Sequence, residues 1–224
     1  MKRLILAAAL AAPTATMAQE WQPPEGCTGF LTVQQRGCML SNHYTCEGDA
    51  EGDQWRVDFI EQGPVFASRI NHQTEWVESL SLFSQTRTML GDRLDPANFD
   101  EMIETGIDTY DFSTVDDDGT ETRYRGADVL TGEVVEIDGE PLLVMRYTAE
   151  VSGPDGNSRS EGVNYVSEKW RFFLPGTSTS IGEDGEAGPE RDNTPVQLIK
   201  PGEPGFFAMR PIYDCGVSDA VWAE

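Results

Sequence analysis

The stretch from Glu121 to Pro175, ETRYRGADVLTGEVVEIDGEPLLVMRYTAEVSGPDGNSRSEGVNYVSEKWRFFLP, decides the fold. Within it, Asp138-Gly139 stands between the apolar runs Val134-Val135-Glu136-Ile137 and Leu142-Leu143-Val144-Met145. An Asp-Gly pair in that setting supplies the two residues that tolerate positive φ, as a type I′ hairpin turn demands. A two-residue loop places Ile137 opposite Glu140 and Val135 opposite Leu142. The returning strand then alternates, with Leu143, Met145, Tyr147, Ala149 and Val151 on one face and Val144, Arg146, Thr148 and Glu150 on the other. That is the pattern of a sheet with one buried and one wet face.

Gly153-Pro154-Asp155-Gly156 carries the residues of a second turn, with proline presetting φ at the first corner and glycine free to follow it. The chain returns through Val163, Tyr165 and Val166. Trp170, Phe172 and Leu174 alternate with the opposite parity, which predicts a bulge or a strand break near Ser167 to Lys169. Upstream, Thr131-Gly132 is expected to turn a strand over 122–130 into one over 133–137. The segment therefore predicts a run of neighbouring antiparallel strands. The expected fold is mainly β: a single-domain curved antiparallel sheet or open barrel of meander connectivity, with one short covering helix.

The rest of the chain repeats this style. Phe30, Leu31 and Val33 suggest a first strand ending near Arg36-Gly37, and Cys38 to Cys46 reads as a small hairpin. Trp55, Val57 and Phe59 alternate with Arg56, Asp58 and Ile60. Gly63-Pro64 and Asn71-His72-Gln73 read as turns, with strands at Phe66–Ile70 and around Trp76, Leu80 and Leu82. The helix is placed by Asp95 as N-cap, Pro96 at the first helical position, a Leu94–Phe99 staple and Gly106 as C-cap. Stretches 108–121 and 181–193 read as acidic loops. Val196, Leu198 and Ile199 predict a last strand, broken by Pro201 to Pro204, and Phe206, Phe207 and Met209 are expected to pack against the sheet.

Residues 1–18 have the form of a secretory signal peptide: Lys2 and Arg3, an apolar run over Leu4 to Ala12, and a small residue at Ala18 for cleavage. The apolar run is too short to span a bilayer. The expected mature unit is one all-β domain over 19–224, in the periplasm or secreted. The net charge is −23, and two units more negative without Lys2 and Arg3. Nucleic-acid binding rests on Lys and Arg neutralising phosphates, so this balance argues against it, and against anionic lipid surfaces. An acidic surface keeps a secreted protein dispersed.

Four cysteines, Cys27, Cys38, Cys46 and Cys215, imply two disulfides in an oxidising compartment. The expected pairs are Cys38–Cys46, across a turn at Asn42-His43, and Cys27–Cys215, tying the ends together. No Cys-x-x-Cys pair supports a zinc site.

The chain has two histidines, His43 and His72, both expected as exposed turn residues. No Gly-x-Ser-x-Gly elbow or His-Glu-x-x-His helix is present. Asp116-Asp117-Asp118-Gly119 lacks the alternating ligands of an EF-hand, because Thr114 stands where one is needed; it reads as a charged hairpin tip. No metal, cofactor or catalytic residue is assigned. Some pair among thirty-nine carboxylates falls at glycosidase spacing by chance, and the sequence promotes none. Trp55, Trp76, Tyr147, Tyr165, Trp170 and Phe172 are the aromatics able to line a cavity on the concave face, and the last five are the ligand-binding candidates.

Cys27-Thr28-Gly29-Phe30-Leu31-Thr32-Val33-Gln34, Tyr165-Val166-Ser167-Glu168 and Pro201-Gly202-Glu203-Pro204-Gly205-Phe206 resemble passages of a family of secreted proteins from marine-type alphaproteobacteria. The architecture is loosely similar to periplasmic lipoprotein-carrier half-barrels. Neither resemblance transfers a functional residue. The expected function is non-enzymatic: binding of a small apolar molecule or acyl chain on the concave face. The alternatives are an envelope protein-protein interaction module with a filled core and an exposed apolar patch near Phe206 and Phe207, or a carboxylate- or cation-dependent hydrolase.

Overall fold

The computed structural model describes residues 20–154, 156–182 and 185–216; the expected signal peptide lies outside them. The strands are β1 (Cys27–Gln35), β2 (Met39–Cys46), β3 (Gln54–Ile60), β4 (Gly63–Ile70), β5 (Trp76–Ser81) and β6 (Thr86–Asp95). After helix α1 (Phe99–Thr105) come β7 (Ile107–Asp116), β8 (Glu121–Ile137), β9 (Glu140–Gly153), β10 (Gly156–Ser167), β11 (Phe172–Ile181), β12 (Arg191–Asp192) and β13 (Pro195–Ile199). They form one sheet of 13 strands, in which β1 to β11 lie beside their neighbours in sequence. Strand β12 flanks β11 at one edge and β13 flanks β1 at the other. All pairings are antiparallel.

The sheet is open, but one short segment touches both of its edges. Asn193 N–H donates to Gly176 O (2.9 Å) on the β11 side, and Arg36 N–H donates to Thr194 O (3.0 Å) just beyond β1. Consecutive residues therefore bind opposite ends of the sheet, which is rolled until those ends nearly meet. A long twisted sheet curls in this way to cover its apolar face and limit its exposed edges.

The central hairpin has the expected register: Ile137 faces Glu140 and Val135 faces Leu142. Asp138 (φ 50°) and Gly139 (φ 76°) take the left-handed conformations of the turn. The expectation of one wet face fails at Leu142 to Met145. Leu142 packs with Leu31, Val33, Leu174 and Leu198, whereas Leu143 and Met145 lie with Phe99, Met102 and Val166. Strand β9 is covered on both faces there, by β1 and β13 on one side and α1 on the other, which is why its sequence reads as a continuous apolar run. Alternation resumes at exposed Arg146, Thr148 and Glu150. A third cluster, Leu40, Tyr44, Val57, Phe59 and Phe207, lies under the C-terminal segment. Complete burial of Phe59 contributes on the order of 2–3 kcal/mol.

Several expectations need correction. Thr131-Gly132 is not a turn: β8 runs through it with an irregularity between Leu130 and Val134, because Gly132 at φ 83° allows a bulge. The stretch 108–121 is not an acidic loop; most of it is β7, paired with β6 and β8, and only the Asp116–Gly119 tip turns. The parity change after Val166 is a strand break over 168–171, with Arg171 at φ 55°. Helix α1 is capped by Asn98, whose side chain accepts from Glu101 N–H, and ends at left-handed Gly106 as expected. Asp95 instead pairs with Asp111 at the end of β6, and Leu94 is exposed, so the staple does not form.

The disulfides join Cys27 to Cys46 and Cys38 to Cys215, which overturns both expected pairs. Residues 39–46 form a single strand rather than a hairpin, so Cys38 and Cys46 sit at opposite ends of β2, about 25 Å apart. Cys27 stands directly opposite Cys46 in the β1–β2 ladder. Cys38, in the β1–β2 turn, donates its N–H to Tyr213 O at 2.9 Å, which brings Cys215 within reach. The two disulfides fit an extracytoplasmic setting. Among the described residues no helix is long and apolar enough to cross a membrane.

Candidate functional site

Strands β2 to β8 present one face to a cavity of about 530 Å³, which β10 and β11 complete on the far side. Its apolar wall includes Phe66, Ile70, Trp76, Tyr124, Phe172, Phe173 and Pro175. Trp76 meets Tyr124 edge-on at 5.1 Å between ring centroids, and Phe112 in the same manner at 5.5 Å. Phe173 also touches Phe99 of α1, at 6.2 Å; the helix thus backs the wall from behind. Small hydroxyl side chains, Ser68, Ser79, Ser81, Thr86 and Thr88, line the β4–β6 side. Short side chains across three adjacent strands leave the room that larger ones would fill.

The polar end of the cavity is built on β2 and β3. His43 is paired in register with Arg56, and Gln54 lies two residues before Arg56, so all three share one face. His43 is 4% exposed, and its ring stacks on Phe172 at 4.5 Å with planes 12° apart. Burial, and after it the charge of Arg56, pushes the imidazole pKa down to about 3, so His43 is neutral at ordinary pH.

Around it runs a chain of buried hydrogen bonds. Gln35 Nε2 donates to Ser41 Oγ (2.7 Å), and Ser41 Oγ donates to Asp58 Oδ1 (2.6 Å). Arg56 Nε lies 3.1 Å from the same Asp58 oxygen, an ion pair outside hydrogen-bond geometry. Gln54 Nε2 donates to Trp170 O (2.7 Å). Among the described residues, three buried polar atoms of this wall have no hydrogen-bond partner: His43 Nε2, Gln54 Oε1 and Arg56 Nε. Buried polar atoms are nearly always paired, and an unpaired one calls for a further partner such as a water or a ligand group.

Of the aromatics singled out in the sequence, Trp76 and Phe172 line the cavity; Trp55 borders it from β3 but stacks its ring on Tyr44, and Tyr147, Tyr165 and Trp170 do not line it. Tyr147 packs beside α1 and Tyr165 beside the Leu31 cluster. Trp170 faces a shallower cleft of about 380 Å³, with Lys169 Nζ 4.5 Å over its ring. His72 lies in the β4–β5 turn as expected. His43 does not lie in a turn: it is central in a strand, and the sequence reading missed it together with Arg56 and Gln54. The available signal was the alternation of Leu40, Asn42 and Tyr44 against Ser41 and His43.

At the apolar segment named in the sequence, Phe207 is buried against β1 and Trp21 and Phe206 beside it is half-buried. Asp108 and Asp128 are a buried carboxylate pair in adjacent register, but neither lines the cavity. Among the described residues no cluster of three or more ligating side chains could hold a metal ion. No protein-family model, curated protein or solved structure matches the chain.

Proposed function

We propose that the protein is a non-enzymatic binding protein of the periplasm or extracellular space that holds a small, largely apolar molecule within its rolled sheet. The observation that carries this reading is the cavity of about 530 Å³, walled by Trp76, Tyr124, Phe172 and Phe173 and fringed by unpaired polar atoms of His43, Gln54 and Arg56. An apolar space with a few convergent polar groups is the ordinary form of a small-molecule site. The acidic surface suits a dispersed secreted carrier.

The test is native mass spectrometry of protein purified from its own host, followed by organic extraction. The expected result is a discrete added mass that extraction removes. A second measurement titrates the apo protein with Nile red. Ser79→Phe, which pushes a ring into the cavity from β5, is expected to abolish dye binding while the far-ultraviolet circular dichroism is unchanged. A clean apo mass together with no dye binding overturns the reading.

A further inference from the structure

Resting on that reading, we infer that the ligand is a neutral amphipathic molecule whose head is a hydroxyl or amide seated against His43, Gln54 and Arg56, not a carboxylate or an ammonium. Two independent features of the wall carry this.

The first is charge balance. Among the described residues only two with a formal charge line the cavity, Arg56 and Glu78, and each is already countered. Arg56 faces Asp58, and Glu78 is held by Arg69 at 3.2 Å and Arg87 at 2.6 Å. His43 adds no charge, because burial and Arg56 keep its ring unprotonated. A carboxylate brought here loses its hydration and finds a guanidinium that is already paired. An ammonium meets that same guanidinium and no free carboxylate. Either ion is costly to bury without its own partner.

The second is the kind of atom left unpaired. Arg56 Nε–H can only donate and Gln54 Oε1 can only accept, and His43 Nε2 does one or the other according to its tautomer. A group that accepts and donates at once satisfies this set. A hydroxyl accepts from Arg56 and donates to Gln54 or His43, and a primary amide does the same with its oxygen and nitrogen. A carboxylate offers no donor to Gln54 Oε1, and an ammonium no acceptor to Arg56 Nε. The stacked His43–Phe172 pair gives the head a flat flank, which favours a planar body next to it.

The experiment is displacement of Nile red by four probes with one ring system: naphthalene, naphthylmethanol, naphthoate and naphthylmethylammonium. Naphthylmethanol is expected to displace the dye at about tenfold lower concentration than the other three. His43→Phe keeps the stack on Phe172 and removes Nε2. It is expected to reduce the advantage of the alcohol over naphthalene and to leave naphthalene itself unchanged. Should that variant fail to fold, the ranking on the wild-type protein decides alone. Naphthoate binding best overturns the inference and makes Arg56 an anion anchor. Equal binding of naphthalene and naphthylmethanol overturns the inference and leaves the carrier reading standing. Failure of every probe and of Nile red overturns the carrier reading itself.

Discussion

Asp108 and Asp128 face each other across β7 and β8 as a register pair, and both are buried. Burial, and then the charge of Asp108, pushes Asp128 up to about 7. Burial likewise pushes Asp108 to about 6, against the N–H of Asn98, which donates to it at 3.0 Å, and with the charges of Glu101 and Asp95. Tyr147 on β9 completes the surround opposite Asp128. The folded pair therefore holds protons that the unfolded chain releases near pH 4. Stability from this pair is fully present below about pH 4 and is lost as pH rises through about 7. Asp128→Asn mimics the protonated form. It is expected to match the wild type near pH 4 and to exceed it at about pH 8 by on the order of 4 kcal/mol. Urea denaturation at both values checks this; a gap that does not change with pH would contradict it.

The disulfides give a graded expectation. Cys38–Cys215 closes a separation of 177 residues and Cys27–Cys46 one of 19. On the chain-entropy account their removal costs about 5 and about 3 kcal/mol respectively. Replacing each pair by serine and comparing denaturation midpoints measures the order. Peptide mapping of the non-reduced protein must return Cys27 with Cys46; recovery of Cys27 with Cys215 would overturn the structure of the N-terminal hairpin.

What the sequence revealed and what it concealed divide by the range of the interaction. The Asp138-Gly139 hairpin, the Gly106 cap and the Asp116–Gly119 tip depend on φ preferences of adjacent residues, and their sequence readings held. The cysteine pairs depended on knowing that 39–46 is one strand. Asn42 and His43, polar and flanked by cysteines, resemble a turn when burial is unknown. They are covered by residues from far along the chain: Ala208 O accepts from Asn42 Nδ2 at 2.9 Å, and Phe172 stacks on His43. The polar end of the cavity was hidden for the same reason. Strand β7 was missed because Asp108 and Asp111 suggested solvent, whereas one is buried in the carboxylate pair and the other is held by Arg123 and Arg125. Trp76 and Phe172 could be named from aromatic content, but the same criterion also selected Tyr147, Tyr165 and Trp170, which pack elsewhere.

Gly29 is required by the ring that lies against it. A Cβ at this position would stand 2.3 Å from Phe207 Cζ and 2.4 Å from Cε2. Phe207 is fixed by its N–H, which donates to Thr32 Oγ1 at 2.7 Å, and by stacking on Trp21 at 5.5 Å. Gly29→Ala is expected to cost about 1–3 kcal/mol by overpacking and to shift tryptophan emission to the red as Trp21 is uncovered. Phe207→Leu in the same chain should recover part of the loss, since contacting sites are not additive. Equal costs with and without Phe207 would show that the ring is not what excludes the side chain.

The outer edge of β13 is protected by the hairpin tip. Leu198 is paired with Val33 of β1, but its N–H points away from that ladder and donates to Asp138 Oδ2 at 2.8 Å. Next to it, Glu140 Oε1 accepts from Lys169 at 2.6 Å and Lys200 at 2.7 Å. The turn that sets the register of β8 and β9 thus also fastens the strand at the far edge of the sheet. An edge strand with unpaired N–H groups frays or pairs with other chains unless it is covered. Asp138→Gly keeps the positive φ of the turn, which Asp138 already adopts at 50°, and removes the side chain that accepts from Leu198, at the added cost of a more flexible unfolded chain. Global stability is expected to fall by about 1–2 kcal/mol, and the Leu198 amide to exchange faster than that loss alone accounts for, because β13 opens locally. Hydrogen exchange read at Leu198 and at a β9 amide separates the two effects. Parallel acceleration at both positions would mean that Asp138 acts only through the hairpin and does not hold β13.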